Sequence, residues 1–458
     1  MQCFVDAAEH TVAIVPVTRD GLEAWLDKAP AAQARWVRAH DFDGSAARHL
    51  IIPDDSGGVG TVLVAMTDPM SMFTLGDLPM ALPKGTVCRL EGDFETAEAT
   101  ALALGWAMGS YNFGRYRKTE REMARLVPLA TARMDRVVAI AESVHLGRDL
   151  INTPAEDMGP AELTGAVADV AAANGAELRI IEGDELLTEN YPSVHAVGRA
   201  SVRPPRLADL TWGKSDAPKV TLVGKGVCFD SGGLDLKPAT GMKMMKKDMG
   251  GAASALALAS MIMRLNLPVR LRLLIPAVEN AVAGNAFRPL DVITTRKGLT
   301  IEIGNTDAEG RVILCDALAE GASEKPDMLI DLATLTGAAR VALGPEIPVY
   351  LSNDDTMAVA IEESAKRVQE DVWRLPLWPG YRKLMDSDVA DLSTTGSGRG
   401  AGAINAALFL EHFVSDDVSW AHFDIMGWNL NSRPGRPKGG EVMAVRGLLD
   451  MIEQRFGA

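Results

Sequence analysis

The chain is organised around the stretch VGKGVCFDSGGLDLKP at residues 223–238, in which glycines separate charged and apolar residues. Two shorter pieces follow it, MKKDMGG at 245–251 and NTDAEGR at 305–311. Together they concentrate carboxylates, lysines and glycines between apolar runs of the kind that form buried strands and helices. We interpret the three pieces as one site that holds two divalent metal ions.

Strand and helix patterns alternate along most of the chain beyond residue 150. The predicted strands are 178–181, 219–223, 270–275, 299–303, 327–332, 348–351 and 420–425. The predicted helices are 251–265, 310–320, 357–371 and 401–414. This alternation predicts an α/β fold with a largely parallel sheet covered by helices on both faces. Ligands bind such sheets outside the carboxyl ends of the strands, where the charged pieces begin.

The first part of the chain predicts a smaller α/β unit of unassigned role. Strands are expected at 61–66 and 86–90, a helix at 96–108, and a turn rather than a phosphate cradle at 57–60. A charged helical pattern at 115–148 predicts a connecting helix. A length of 458 residues suggests two or three domains. We therefore predict an N-terminal domain at 1–130 that ends in the connecting helix, and a catalytic domain at 131–458.

The composition limits the classes of partner that the protein is expected to bind. The net charge of −15 and the pI of about 5.0 disfavour nucleic acid and anionic membranes, which both attract basic surfaces. The N-terminus lacks a signal-peptide pattern, and no apolar run approaches the ~18–20 residues that span a bilayer. The four cysteines are scattered, which is typical of a reducing compartment. We expect a cytoplasmic protein with neither a membrane nor a nucleic-acid partner.

The charges of the three pieces match a pair of dications. Asp230, Asp248, Asp307 and Glu309 carry four negative charges, and without cations some of these acids would have to take up protons. Lys225 could join as a neutral ligand, because adjacent dications lower the pKa of a lysine. Ligation that is rich in oxygen suits Mn²⁺ or Mg²⁺, and Zn²⁺ also accepts carboxylate and amine ligands.

Each motif also has an ordinary structural interpretation. Glu309 completes a capping-box pattern with Thr306, and taken alone the two readings of Glu309 are about equally good. Asp248 could be a solvated acid, Lys237 a surface lysine, and the two glycines at 232–233 a tight turn. Their joint occurrence in one short stretch favours the metal site. The chain has no His-Glu-x-x-His pattern, which excludes a mononuclear zincin.

The three pieces resemble the signature segments of the leucyl aminopeptidase family, also called the M17 or cytosol aminopeptidase family. NTDAEGR at 305–311 is identical to the family signature, and the similarity extends over about residues 145–430. The resemblance implies a dinuclear metallo-aminopeptidase that removes N-terminal residues, leucine and other apolar ones among them, from peptides. It also implies a homo-hexamer, a smaller N-terminal α/β domain, and bicarbonate as a further cofactor.

The resemblance assigns roles to individual residues. The implied ligands of the two metals, Mn²⁺ or Zn²⁺ with Mg²⁺ as a further option, are Lys225, Asp230, Asp248, Asp307 and Glu309. Lys237 and Arg311 would be catalytic: Lys237 would stabilise the oxyanion after attack by metal-activated water. Arg311 would position the substrate or hold bicarbonate as a proton shuttle. The implied substrate-binding residues are Met245, Thr334, Leu335 and Gly337.

Three features depart from the family pattern. Lys247 stands where tyrosine is common, Cys315 stands where alanine is common, and the tail at 438–446 lacks the usual Gly-Ala-Thr-Gly run. That run helps to close the pocket wall, so the preferred substrate side chain stays open. Two alternative functions remain. One is a narrow dipeptidase, for example a Cys-Gly hydrolase. The other is a DNA-binding or regulatory protein on the same fold, which the net charge disfavours.

Overall fold

The computed structural model describes residues 1–45, 49–67, 70–117, 122–396 and 400–457. The chain divides into two compact units, Met1–His145 with Asn431–Lys438 and Leu146–Leu430 with Gly439–Ala458. In the described ranges, no helix combines the length and the apolarity that crossing a lipid bilayer requires.

A five-stranded sheet forms the centre of the first unit. Its strands are β1 (Val12–Val17), β2 (His49–Pro53), β3 (Val59–Ala65), β4 (Val87–Leu90) and β5 (Arg125–Val127). Its helices are α1 (Leu22–Leu26), α2 (Ala31–Ala39), α3 (Leu78–Ala81) and α4 (Thr96–Gly109), with a 3-10 helix at Met72–Leu75. The strand order is β2-β3-β1-β4-β5, and the β2–β3 pair is antiparallel. The glycines between β2 and β3 form a turn, as predicted, in which Gly58 donates to the Asp54 carboxylate at 2.8 Å.

The charged segment 115–148 does not form the single connecting helix that its pattern predicts. Residues Arg125–Val127 form β5, which pairs with β4, and the following helix, α5, covers Met134–Asn152. Leu126 is buried in this sheet, and such tertiary packing overrides local helix propensity. The connecting helix is thus the shorter α5, and the chain passes from the first unit to the second inside it, after His145 rather than near residue 130. Three charged residues of the segment lie outside the described residues: Lys118, Glu120 and Arg121.

The second unit contains most of the regular elements. Its strands are β6 (Glu177–Glu182), β7 (Arg206–Trp212), β8 (Lys219–Gly224), β9 (Gly226–Asp230), β10 (Arg270–Asn280), β11 (Val292–Thr294), β12 (Thr300–Glu302), β13 (Met328–Ala333), β14 (Val349–Ser352), β15 (Trp373–Arg374), β16 (Leu392–Ser393), β17 (Trp420–Asp424), β18 (Trp428–Asn429) and β19 (Gly439–Gly440). Its helices are α6 (Pro160–Asn174), α7 (Glu185–Thr188), α8 (Pro192–Gly198), α9 (Ala239–Met242), α10 (Gly250–Arg264), α11 (Glu309–Ser323), α12 (Gly337–Leu343), α13 (Asp355–Arg367), α14 (Gly402–Glu411) and α15 (Val445–Phe456). Short 3-10 helices cover Ala155–Asp157, Met245–Met249, Thr306–Ala308 and Pro379–Met385.

A nine-stranded mixed sheet forms the centre of this unit. Its order is β15-β14-β17-β13-β8-β10-β7-β6, with β9 paired beside β10. The four central strands β17, β13, β8 and β10 are parallel, whereas β7 and β14 join them antiparallel. Strand β12, predicted at 299–303, pairs instead with β11 and β16 in a small separate sheet. The predicted α/β class with a largely parallel sheet is confirmed.

Helices cover both faces of the central strands. A Cβ added at Gly224 of β8 would lie 2.6 Å from the Cα of Ala252 in α10, so this helix contacts one face closely. Thr221 of the same strand points to the other face, where a Cβ at Gly321 of α11 would lie 3.1 Å from its methyl group. Residues an odd number apart in a strand point to opposite faces, so α10 and α11 lie on opposite sides of the sheet.

The close approach of α10 to β13 gives a stability prediction. A Cβ at Gly251 would lie 2.1 Å from the carbonyl oxygen of Leu332, a backbone atom that cannot move aside. We expect Gly251→Ala to lower the free energy of unfolding by roughly 1–3 kcal/mol, the usual cost of overpacking. Gly165→Ala in α6 is the control, because no atom lies within 4 Å of the added Cβ there. For this control, denaturant unfolding should show a free energy of unfolding that is higher by up to about 1 kcal/mol. Equal effects of the two changes would contradict the close contact.

Candidate metal centre

The charged pieces meet at the carboxyl edge of the parallel strands in the second unit. Lys225 directly follows β8, Asp230 ends β9, and Thr334 directly follows β13. The remaining acids lie on elements that approach the same edge. Asp248 is in the 3-10 helix before α10, Asp307 is in the 3-10 helix before α11, and Glu309 is the first residue of α11. The charged residues were predicted to gather at one edge because they follow predicted strands, and they do lie at one edge of the sheet.

One half of the centre is built around Lys237. Its Nζ lies 2.7 Å from Oδ2 of Asp230 and also forms an ion pair with Oδ1 of Asp307. The other oxygen of Asp230 accepts hydrogen bonds from the Gly232 N–H and from Nδ2 of Asn280, both at 2.9 Å. Gly232 has φ +90°, in the region that favours glycine, so the backbone can turn and donate to this carboxylate.

The other half of the centre is built around Lys225. Its Nζ lies 2.7 Å from Oδ2 of Asp248 and 2.9 Å from Oε1 of Glu309, and it donates to the Thr334 carbonyl at 3.0 Å. Thr334 Oγ1 donates to the second oxygen of Asp248 at 2.8 Å. The lysine fits here because position 310 is glycine: a Cβ at Gly310 would lie 2.5 Å from Cε of Lys225.

These contacts decide between the alternative readings of the motifs. Glu309 pairs with Lys225, while the Thr306 hydroxyl donates to the Gly232 carbonyl at 2.6 Å, so the capping-box interpretation is wrong. Asp248 is 3% exposed, and the Lys237 side chain is 14% exposed and bound to two acids. Neither is a solvated surface group. The glycines at 232–233 do form a tight turn, and the turn is part of the site.

Burial and neighbouring charges shift the pKa values of the groups in this centre. Burial raises the pKa of Asp230 to about 6. Burial, and next the charge of Asp230, raises the pKa of Glu309 well above its usual range. Burial alone would lower the pKa of Lys225, but Asp248 and Glu309 outweigh it and hold that pKa above its ordinary value. A cluster of this kind requires cations or protons to balance its negative charge.

The centre has the donor atoms that a divalent cation requires. One carboxylate oxygen from each of Asp230, Asp307 and Glu309 lies within 4.8 Å of the others. Oε2 of Glu309 is buried, and it has no hydrogen-bond partner among the described residues. The Asp307 side chain is 33% exposed, which leaves the centre open on one side. Oxygen donors in this arrangement fit Mn²⁺, Mg²⁺ or Zn²⁺.

The other residues predicted for the site lie on segments next to these groups. Arg311, in the first turn of α11, donates from Nη1 to the Thr394 carbonyl at 2.5 Å, and burial lowers the pKa of its guanidinium. Met245 begins the 3-10 helix that carries Asp248, and Gly337 begins α12. Leu335 lies between Thr334 and Gly337 and is partly buried. Contact of Met245, Leu335 and Gly337 with a substrate stays a prediction.

Two polar residues of this edge were not among the predicted site residues. Asn280 donates from Nδ2 both to Asp230 and, at 3.0 Å, to the Thr306 carbonyl, so it ties two of the charged pieces together. Asp424 accepts hydrogen bonds from the N–H groups of Leu335 and Thr336. Each is the last residue of a strand of the sheet, Asn280 of β10 and Asp424 of β17. The signal was usable for Asp424, which lies near the carboxyl end of the predicted strand 420–425, whereas Asn280 lies five residues beyond the predicted strand 270–275.

Comparisons with known proteins identify a family for both units. The model described as "Cytosol aminopeptidase family, catalytic domain" matches residues 145–449, and the model described as "M17 aminopeptidase, N-terminal domain" matches residues 12–128. The probable cytosol aminopeptidase of Geobacter sp. (strain M21) is 41% identical over 372 residues, which cover 78% of this chain and 75% of that protein.

Solved structures show the same fold over the full length. The crystal structure of cytosol aminopeptidase from Coxiella burnetii has a TM-score of 0.95 and 50% sequence identity, and the match covers 100% of both chains. The bottromycin maturation enzyme BotP in complex with Mn has a TM-score of 0.88 and 33% identity over 97% of this chain and 99% of that one.

Proposed function

The chain belongs to the cytosol aminopeptidase family and is an aminopeptidase, and from this premise we propose that it is a dinuclear metallo-enzyme. It would release N-terminal leucine and other apolar residues from peptides. The observation that carries this proposal is the gathering of four carboxylates and two lysines at one sheet edge, with a buried oxygen of Glu309 left without a partner among the described residues. Its location in the cytoplasm and its assembly as a homo-hexamer stay predictions.

The metal ligands that we propose are Lys225, Asp230, Asp248, Asp307 and Glu309. Two divalent ions, Mn²⁺ or Zn²⁺ and as a further option Mg²⁺, would supply a water of lowered pKa and polarise the scissile carbonyl. The Mn complex of the structurally similar BotP supports manganese as a candidate. Lys225 would then bind as a neutral amine, because nearby dications oppose the carboxylates that now raise its pKa.

Lys237 is suited to stabilise negative charge on the substrate. Burial would lower its pKa, but Asp230 and Asp307 hold that pKa above its usual range, so the side chain is an ammonium at neutral pH. It is partly exposed on the open side of the centre, where a peptide carbonyl can reach it. Its N–H groups can donate to the oxygen on which charge develops, a preorganised interaction that favours the transition state.

Arg311 and the loop after β13 would hold the remaining groups in place. Because the Arg311 side chain is held by the Thr394 carbonyl, it presents a fixed positive charge near Glu309 that can position the substrate or bind bicarbonate as a proton shuttle. Thr334 is fixed to Asp248, so the main chain from Thr334 to Gly337 can orient the peptide. Met245 would line the pocket for the first side chain.

Removal of metal tests the proposed function directly. We expect EDTA or 1,10-phenanthroline to abolish hydrolysis of Leu-p-nitroanilide, and added Mn²⁺ or Zn²⁺ to restore it, because activation of water requires the ions. Activity that persists after full chelation would contradict the proposal.

A panel of dipeptides, aminoacyl amides and longer peptides separates the alternatives. We expect cleavage of several apolar N-terminal residues. Cleavage confined to Cys-Gly would support the narrow dipeptidase, and DNA binding without any hydrolysis would support the regulatory protein.

A further inference from the structure

One buried carboxylate holds the segment that follows β13. Asp424, the last residue of β17, is 3% exposed. Its Oδ1 accepts hydrogen bonds from the Leu335 N–H at 3.0 Å and the Thr336 N–H at 3.1 Å. Its Oδ2 accepts from the Thr336 hydroxyl at 2.6 Å. Both oxygens of this carboxylate are therefore used to fix two consecutive residues of one loop.

The same loop is fixed to the metal centre on its other side. Thr334 donates from Oγ1 to Asp248, and its carbonyl accepts from Lys225. Thr336, which Asp424 holds, also accepts from the Ala339 N–H at 3.1 Å through its hydroxyl oxygen and so caps α12. The backbone between the centre and α12 consequently has little freedom to shift while Asp424 is in place.

We propose that Asp424 is a positioning residue for the peptide substrate, acting through the main chain of Leu335 and Thr336. This rests on the proposed function, in which that main chain orients the peptide. Both oxygens are needed to accept the hydrogen bonds from three donors in this geometry, so a carboxylate holds the loop better than an amide, which has one acceptor oxygen. Asp424 has no assigned role among the ligands or the catalytic residues, and its effect is on substrate alignment.

The test compares Asp424→Ala with Asp354→Ala. Asp354 is a matched control, because it also accepts three hydrogen bonds, from the Thr356 N–H, the Met357 N–H and the Ser419 hydroxyl. It caps α13 at the opposite edge of the sheet, since β14 runs antiparallel to β17. Both variants should lose thermal stability, and both should keep the metal content of the wild type.

The kinetic constants distinguish positioning from a purely structural role. For a leucyl tripeptide we expect Asp424→Ala to lose about 10- to 100-fold in kcat/KM, because small misalignments of a substrate have effects of this size. The loss should include a rise in KM, because the loop would no longer be held in one conformation for binding the peptide. The kcat/KM of Asp424→Asn should fall between those of the wild type and Asp424→Ala, since the amide keeps one acceptor oxygen. Asp354→Ala should keep the KM of the wild type.

Several outcomes would overturn the proposal. Equal KM values in all variants would make Asp424 structural only, and loss of metal in Asp424→Ala would place its effect at the metal centre. If Asp424→Ala does not fold, the KM of Asp424→Asn decides in the same way. A wild-type enzyme without any peptidase activity would instead refute the proposed function, so the two failures are distinguishable.

Discussion

Replacing Glu309 by glutamine is expected to remove bound metal and to reduce kcat/KM for Leu-p-nitroanilide by at least about 10³-fold, or roughly 4 kcal/mol. The carboxylate is buried: its Oε1 pairs with Lys225 Nζ at 2.9 Å, and its Oε2 has no hydrogen-bond partner among the described residues. An amide of the same shape has no negative charge, and it would turn an NH₂ group either toward the Lys225 ammonium or into the metal position. Elemental analysis of the purified variant, together with steady-state kinetics, measures both effects.

Asp316→Asn is the matched control for this change. Asp316 is a fully buried acid on the same helix, α11, and it accepts hydrogen bonds from the Ser193 and Arg296 N–H groups, each at 2.8 Å. This variant should lose stability while it keeps its metal and its kcat/KM. Metal loss in both variants would mean that Glu309 acts by supporting the helix rather than as a ligand.

Replacing Lys237 by alanine is expected to reduce kcat by roughly 10²–10³-fold, the usual effect of removing one donor to a developing oxyanion. Metal content should stay at the wild-type level, because Lys237 is a proposed catalytic group and not a ligand. The variant also leaves Asp230 and Asp307 without their ammonium partner, which strengthens rather than weakens the attraction of these acids for cations. Single-turnover kinetics and elemental analysis on the same preparation give the two quantities.

Lys219→Ala provides the comparison for Lys237. Lys219 is a partly buried lysine at the start of β8, where its Nζ donates to the Glu324 carbonyl at 3.0 Å, on the edge of the sheet away from the metal centre. We expect unchanged kcat and metal content for this variant. Metal lost from Lys237→Ala would show that the assignment of Lys237 as a catalytic non-ligand is wrong.

The parts of the fold that the sequence predicted are those that depend on local patterns. Buried strands such as 219–223 are short, mainly apolar runs in the sequence, which allowed them to be predicted. Their alternation with helices allowed the parallel centre of the sheet to be predicted as well. The prediction that Asp230, Asp307 and Glu309 gather rested on their places after predicted strands, because the carboxyl ends of parallel strands share one edge. This reason holds for Asp230, which ends β9 beside β10. Asp307 and Glu309 follow β12, which lies in a separate small sheet, so they reach the site through the start of α11 instead.

The features that the sequence did not predict depend on residues distant in the chain. Strand β5 forms because Leu126 is buried against a sheet built from earlier strands, and the charged pattern around it indicates only helix. The antiparallel edges of the large sheet depend on the partner that each strand finds. Asp424 lies 89 residues from Leu335, which it holds, and no local pattern links the two.

Anomalous diffraction from crystals grown with Mn²⁺ would locate the metal ions of the proposed centre. We expect two manganese peaks per chain, both within coordination distance of the carboxylates of Asp230, Asp248, Asp307 and Glu309, with the Lys225 amine as a further ligand. A single peak, or peaks at other acids while these four carboxylates remain paired with Lys225 and Lys237, would contradict a dinuclear centre at this edge of the sheet.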